Sequence, residues 1–199
     1  FTRGTLRGVV QTLFRMPSFT ENYYHHYGNA NLRPERTQQF SVGLSVESRP
    51  TSSAFVWQGS VDVYHNRVLD RILGIPANQT VWRTTNLDRV RAVGVDLSGH
   101  IWAQCASRHT LELSGNASFQ RVTDESQRGA ATYGLQLPYI PEFTAHLAFV
   151  WSNPWCDFSL TSDFSSARHA TANHWKSARL APYATLHTCL LYTSDAADE

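Results

Sequence analysis

The chain has 199 residues, 42% apolar and 12% aromatic, with a formal net charge of +1. This excludes a disordered tail, which combines low hydrophobicity with high charge, and a strongly basic polyanion-binding domain. Lys176 is the only lysine among 17 basic residues, and the arginines are spread along the chain without a cluster.

The first element is a weak alternating run at 5–14. Residues 15–35 follow as a ring-rich connection with neither strand nor helix period, a length that in a compact domain signals function or disorder. From Thr37 the chain alternates apolar with small polar residues. Segment 36–47 sets Phe40, Val42, Leu44 and Val46 against Gln39, Ser41, Ser45 and Glu47, a period of two. Segment 54–66 sets Phe55, Trp57, Val61 and Val63 against Gln58, Ser60, Asp62 and Tyr64. Segments 90–103 and 109–122 repeat the theme, the first with Val93, Val95, Leu97 and Ile101 against Asp96, Ser98 and His100. Segments 142–151, 155–166 and a weaker 177–188 complete about eight strands.

The connections alternate in length. Those at 48–53, 104–108 and 152–154 are short, while those at 15–35, 67–88, 123–141 and 167–176 are long. Short turns at one end and long loops at the other are the habit of an outer-membrane barrel. The segments match the ~9–11 tilted residues of a membrane-crossing strand better than the ~5–6 of a soluble one. No apolar run approaches the ~18 residues of a spanning helix, the best being 147–151, so any crossing uses strands. The competing reading is a large soluble antiparallel sheet with one wet face. Trp57, Trp102, Trp151 and Trp155 fall beside the short-turn end as one aromatic girdle, although Trp102 sits on the polar parity. Cys105 and Cys156 lie three strands apart, about 15 Å at the usual spacing, too far for a disulfide.

Both ends read as cut. The chain starts at Phe1 without a signal peptide, and residues 189–199, "CLLYTSDAADE", lose the alternation and resemble a translated transposase adapter of shotgun sequencing. The expected division is a partial barrel at 1–188 and a non-native tail at 189–199.

Two ordered sets of residues carry a family resemblance. Phe14, Arg15 and Pro17, followed by Asn29, Asn31, Leu32, Pro34 and Glu35, form paired boxes similar to those of TonB-dependent outer-membrane receptors. Downstream, Asn66, Asp70, Asn86 and the triplet Gly94, Val95 and Asp96 resemble the family's next strand pair. Met16 and Ala30 depart from the commoner alanine and proline of the boxes. The resemblance implies an all-β fold: an antiparallel transmembrane β-barrel, of which this chain holds about eight consecutive strands of a roughly 22-stranded barrel, incomplete at both ends. It further implies a plug domain and a TonB-binding box outside this stretch, long connections facing the exterior of the cell, and polar-parity residues such as Gln39, Asp62, Asp96, Glu112 and Asp163 facing the lumen.

The implied function is uptake of a scarce nutrient complex across the outer membrane of a Gram-negative bacterium, energised through TonB, the cargo being haem, cobalamin or a ferric siderophore. The alternative is a barrel adhesin or ligand-binding protein without transport. Motifs of serine hydrolases, zinc proteases and phosphate loops are missing, so no catalytic residues, resident cofactor or nucleic-acid partner are expected. The partners expected are the TonB complex, outer-membrane lipid and the cargo. Cargo contacts are expected at Tyr23, Tyr24, His25, His26, Tyr27 and Trp82. In haem receptors of this family a histidine between the two boxes ligates iron, which makes His25 or His26 the possible ligand, with neighbouring tyrosines able to stack on a porphyrin.

Overall fold

The computed structural model describes residues 2–48, 55–76, 81–106 and 108–192. The connection expected at 48–53 and the end of the expected tail, 193–199, lie largely or wholly outside them. Strands β1 (Thr2–Arg15), β2 (Glu35–Ser48), β3 (Phe55–Pro76), β4 (Trp82–Ala106), β5 (His109–Asp124), β6 (Phe143–Ser152) and β7 (Cys156–Ser165) follow one another. A five-residue helix α1 (Phe19–Tyr23) lies between β1 and β2, and the two-residue strands β8 (Arg168–His169) and β9 (Arg179–Leu180) precede β10 (Tyr183–Tyr192). One 8-stranded antiparallel sheet has the order β1-β2-β3-β4-β5-β6-β7-β10 and does not close on itself. No described helix is long and apolar enough to cross a membrane.

Register aligns the alternation from strand to strand. Leu6, Leu44, Val61, Leu97, Ala117, Ala145 and Phe164 form one continuous row, each opposite the next. Gly8, Val42, Val63, Val95, Phe119 and Phe143 form the row above it. None of these residues is buried, and Val42 at 57% and Val63 at 51% are exposed, so the face is apolar and uncovered. On β4 it runs from Val93 to Ala103. At ~3.3 Å per residue and ~40° tilt this makes a band about 25 Å tall, the height of a lipid-facing belt. We call this face outward. At the short-turn end it carries Trp57 and Trp151, and His109 sits 6.3 Å from Trp151 and 6.0 Å from Trp155, while Trp102 belongs to the other face.

The inward face is polar through the same rows. Arg7 reaches Asp62 at 2.7 Å, the Ser118 hydroxyl donates to Asp96 at 2.6 Å, and His146 meets Asp163 at 2.8 Å. Glycines there make room for large neighbours: the Asp62 side chain lies over Gly43, and the Tyr64 ring lies over Gly94 against the Phe119 carbonyl, so a Cβ at either position would clash.

Several expected boundaries move. Residues 67–88, expected as a long connection, are mostly strand: β3 and β4 stay paired from Leu69↔Arg89 to Pro76↔Trp82, rising well past the belt. The reason is a reversal of phase. Below His65 the apolar residues of β3 face outward, whereas Val68 faces inward and is buried at 4%, and Ile72 beyond it is buried at 5%. The pattern inverts without the strand ending. The weak run expected at 177–188 is likewise displaced, since Lys176–Ala178 is a 3-10 turn and the last strand starts at Tyr183, its pairing continuing from Cys189 to Tyr192 against Ser159 to Cys156. Cys105, Cys156 and Cys189 are free thiols.

The only buried apolar cluster among the described residues lies above the belt on the inward face. Val68, Val90 and Val122 pack there with Leu137, which the connection after β5 folds back onto the sheet, and Leu87, Ala92 and Ile140 surround them. The isolated bridge Thr123↔Gln136 and the Gln136 side chain, which accepts from the Val122 amide at 2.7 Å, hold that connection in place.

Candidate functional site

The long-connection end carries most of the residues singled out in the sequence, Gly94 and Asp96 lying lower on the inward face, and the paired boxes have a physical basis there. Arg15 and Glu35 are register partners at the ends of β1 and β2. The Arg15 guanidinium donates through Nε and Nη2 to the two Glu35 oxygens, both at 3.0 Å, and through Nη1 to Glu21 at 3.0 and 3.1 Å. The paired geometry suits a planar guanidinium. Glu35 is 6% exposed and also accepts from the Ile72 amide at 2.6 Å, which locks β3 onto the same carboxylate.

Burial alone would raise the Glu35 carboxyl, but its bonds to Arg15 and the Ile72 amide, with Arg71 nearby, outweigh that and leave it below the ordinary carboxylate value. Glu21 is lowered in the same way, burial being outweighed by Ser18 and Arg15. The same two carboxylates raise Arg15 further above its already high value.

Glu21 also explains the helix that the periodicity missed. Ser18 caps α1: the Glu21 amide donates to its hydroxyl at 3.2 Å, and its own amide donates to the Glu21 carboxylate at 2.7 Å. This is a capping box, and the serine-x-x-glutamate spacing 18–21 is its sequence signature.

The second box ties down the rest of the connection. The Asn29 side chain donates to the Thr84 carbonyl at 3.2 Å and accepts from the Asn31 amide at 3.0 Å. Asn86 accepts from the Arg33 amide at 2.9 Å and donates to the carbonyls of Arg33 and Asp70. The Arg33 guanidinium bridges Asp70 at 2.7 Å and Asp88 at 2.8 Å. Leu32, Pro34 and Pro17 are half-buried, and Phe14 is exposed on the outward face. The motif residues thus serve mainly as a brace for the first connection.

The expected cargo contacts split. Tyr23 and Tyr24 are exposed at 63% and 64%, and His25 and His26 are also exposed, their rings 3.7 Å apart. Tyr27 is an anchor: its ring covers Gly74, and its carbonyl accepts from the Thr84 amide and hydroxyl, each at 2.9 Å. Trp82 is not in a loop but opens β4, its ring 5.4 Å from that of Tyr139.

Sequence reading missed the partners of Trp82. The Tyr139 amide donates to the His169 carbonyl at 2.7 Å, the rings of His169 and His174 stack at 3.9 Å, and His174 Nε2 contacts the Gln136 carbonyl at 2.8 Å. Burial, then the neighbouring His174, pulls His169 below the ordinary histidine value. Tyr139 and His174 both take positive φ, 62° and 53°, a costly conformation for such side chains. The two histidines are five residues apart and carry no motif, so only the folded connections bring them together. Among the described residues no three histidine, cysteine, aspartate or glutamate side chains converge as metal ligands.

A family model described as "TonB dependent receptor-like, beta-barrel" matches residues 3–189. No curated protein matches the chain. Among solved structures, the siderophore receptor PiuA from Acinetobacter baumannii superposes with a TM-score of 0.68 at 12% identity, over 97% of this chain and 28% of that one. The copper transporter OprC gives 0.64 at 15% identity over 92% and 27% of the two chains. A mutant ferric enterobactin receptor, PfeA from Pseudomonas aeruginosa, gives 0.62 at 14% identity over 98% and 31%. The chain therefore spans about a third or less of the length of these structures, and at these identities the likeness is one of fold.

Proposed function

This chain belongs to the TonB-dependent receptor β-barrel family, and on that premise we propose that it is part of a receptor importing a scarce nutrient complex, with force supplied through TonB. Members of this family sit in the outer membrane of Gram-negative bacteria and are transporters rather than enzymes. The cargo class we propose is haem, cobalamin or a ferric siderophore, and the structural neighbours include siderophore receptors and a copper transporter.

The observation that carries the reading is sidedness. Rings from the start of β4 and from the connections after β5 and β7, Trp82 with Tyr139 and His169 with His174, gather at the long-connection end of a sheet whose inward face is polar. The inward face also has room for further contacts. Asn66 Oδ1 and Arg71 Nε are buried without hydrogen-bond partners beside a cavity of about 320 Å³, where the plug of such a receptor would supply them. Tyr23, Tyr24, His25 and His26 are open to cargo, and for haem either histidine would offer an axial imidazole.

The test is growth. A strain lacking the gene is fed haemin, cyanocobalamin or a ferric siderophore as the limiting source and is complemented with the full-length receptor. TonB-dependent rescue on one source supports import. Binding or adhesion without any TonB-dependent rescue refutes it and favours the adhesin or ligand-binding alternative.

A further inference from the structure

Arginines that are scattered in the sequence meet on the outward face at the top row of the belt and just above it. Arg67 and Arg91 stand directly opposite each other, one row beyond His65 and Val93. Arg121 pairs with Val93, and Arg36 and Arg89 flank Leu69 in the next row up. All five are exposed. Arg91 has one carboxylate, Glu125 at 3.0 Å, while Arg36, Arg67, Arg89 and Arg121 have no ion-pair partner among the described residues.

Like charges directly opposite in a sheet repel, with Cβ atoms about 5 Å apart, so the isolated protein gains nothing from this arrangement. Higher on the same two strands, like charges are handled differently. Asp70 and Asp88, one on each strand of the β3–β4 hairpin, are both held by Arg33, at 2.7 and 2.8 Å. Among the described residues no carboxylate bridges two of the outward arginines.

Their height supplies the missing counter-charge. The belt ends at Val93, so the guanidinium groups stand where hydrocarbon gives way to headgroups on the side of the long connections. A planar guanidinium pairs with phosphate through two parallel hydrogen bonds, and every cation of the rim is arginine. We propose that Arg36, Arg67, Arg89, Arg91 and Arg121 form a binding site for the phosphate groups of membrane lipid in the leaflet facing the long connections. The lipid thereby neutralises the rim and fixes the height of the barrel in the bilayer. The site rests on the membrane setting of the family and is independent of which cargo is carried.

The test uses the full-length receptor in phosphatidylcholine nanodiscs doped with bisphosphorylated lipid A, or with dephosphorylated lipid A of the same acyl chains, with lipid retention read by native mass spectrometry. Each exposed arginine near an anionic surface contributes about 1 kcal/mol, so the double variant Arg67→Gln, Arg91→Gln should bind phosphorylated lipid roughly thirtyfold more weakly. Arg67→Lys, Arg91→Lys should keep part of the affinity, and Arg7→Gln on the inward face should keep all of it. Equal retention of phosphorylated and dephosphorylated lipid, or unchanged retention by the glutamine double variant, overturns the proposal. So does displacement of the lipid by micromolar inorganic phosphate, which would mark a site for the free ion. The double variant should still support cargo-limited growth, so failure of the lipid site and failure of the import reading give different results.

Discussion

The lower and upper halves of this one sheet obey opposite rules. Through the belt, outward side chains are apolar and inward ones polar, as in the opposed pairs Val61↔Leu97 and Asp62↔Asp96. Above His65 the same strands turn inside out. Val68 and Val90 are inward and buried, Val90 completely, while Arg67 and Arg91 face outward. Backbone pairing does not change across the switch, so the backbone does not set the polarity of a face. The medium against each face does: hydrocarbon outside and a polar lumen inside the belt, then headgroup and water outside and folded connections inside.

The largest test of this contrast is a charge in the belt. Leu97→Arg should cost about 2–4 kcal/mol, the penalty for arginine near the bilayer midplane, whereas Arg91→Leu one strand-end away should change stability by less than about 1 kcal/mol. Urea unfolding of the full-length receptor in vesicles checks both, and equal costs would erase the distinction between the halves.

Truncation at Val90 comes next. Removing two buried methyl groups should cost about 1–2.5 kcal/mol, and Val95→Ala, on the outward face, should cost less because lipid fills the space. If Val95→Ala proves the more damaging, the buried cluster is misplaced.

The brace at the top of β1 and β2 predicts a third, more local effect. Glu35→Gln should weaken the anchoring of residues 16–34 by about 2 kcal/mol, since it removes the charge from a buried acceptor of three hydrogen bonds. Faster amide exchange at Ile72 and through α1 would report it, with the belt strands unaffected.

Acid should mimic that change more gently. Glu35 and Glu21 have folded values below the ordinary carboxylate value. Their contribution is therefore fully present above about pH 4.3 and disappears as pH falls through the lower folded values. Exchange in 16–34 should be flat between neutral and about pH 5 and rise beyond the intrinsic rate only in stronger acid. A rise already complete at pH 5 would remove the carboxylates as its cause.

The contrast also explains what could be read from the sequence. Within the belt, period-two alternation is strict, and the strands around Leu44, Val61, Leu97 and Ala117 are visible residue by residue. The phase reversal at 65–68 looks like a break in period, which is why a continuous hairpin through Pro76 and Trp82 read as a loop. Helix α1 is too short for a period, although its Ser18–Glu21 capping spacing was there to be seen. The pair Arg15–Glu35 is legible only as motif residues, and Arg33 carries no mark in the sequence as the partner of Asp70, because both contacts depend on how the strands are aligned. The His169–His174 stack and the arginine rim depend on folding still more, joining residues that share no motif.

The polarity switch can be measured on β4 with spin labels placed one at a time at positions 89, 91, 93, 95, 97 and 99 of the full-length receptor in lipid bilayers. Relaxation by dissolved oxygen reports hydrocarbon, and relaxation by a water-soluble nickel complex reports water. Labels at 93 to 99 should favour oxygen, and those at 89 and 91 should favour nickel. Oxygen preference continuing through 89, or nickel preference already at 97, would contradict a membrane boundary at Val93.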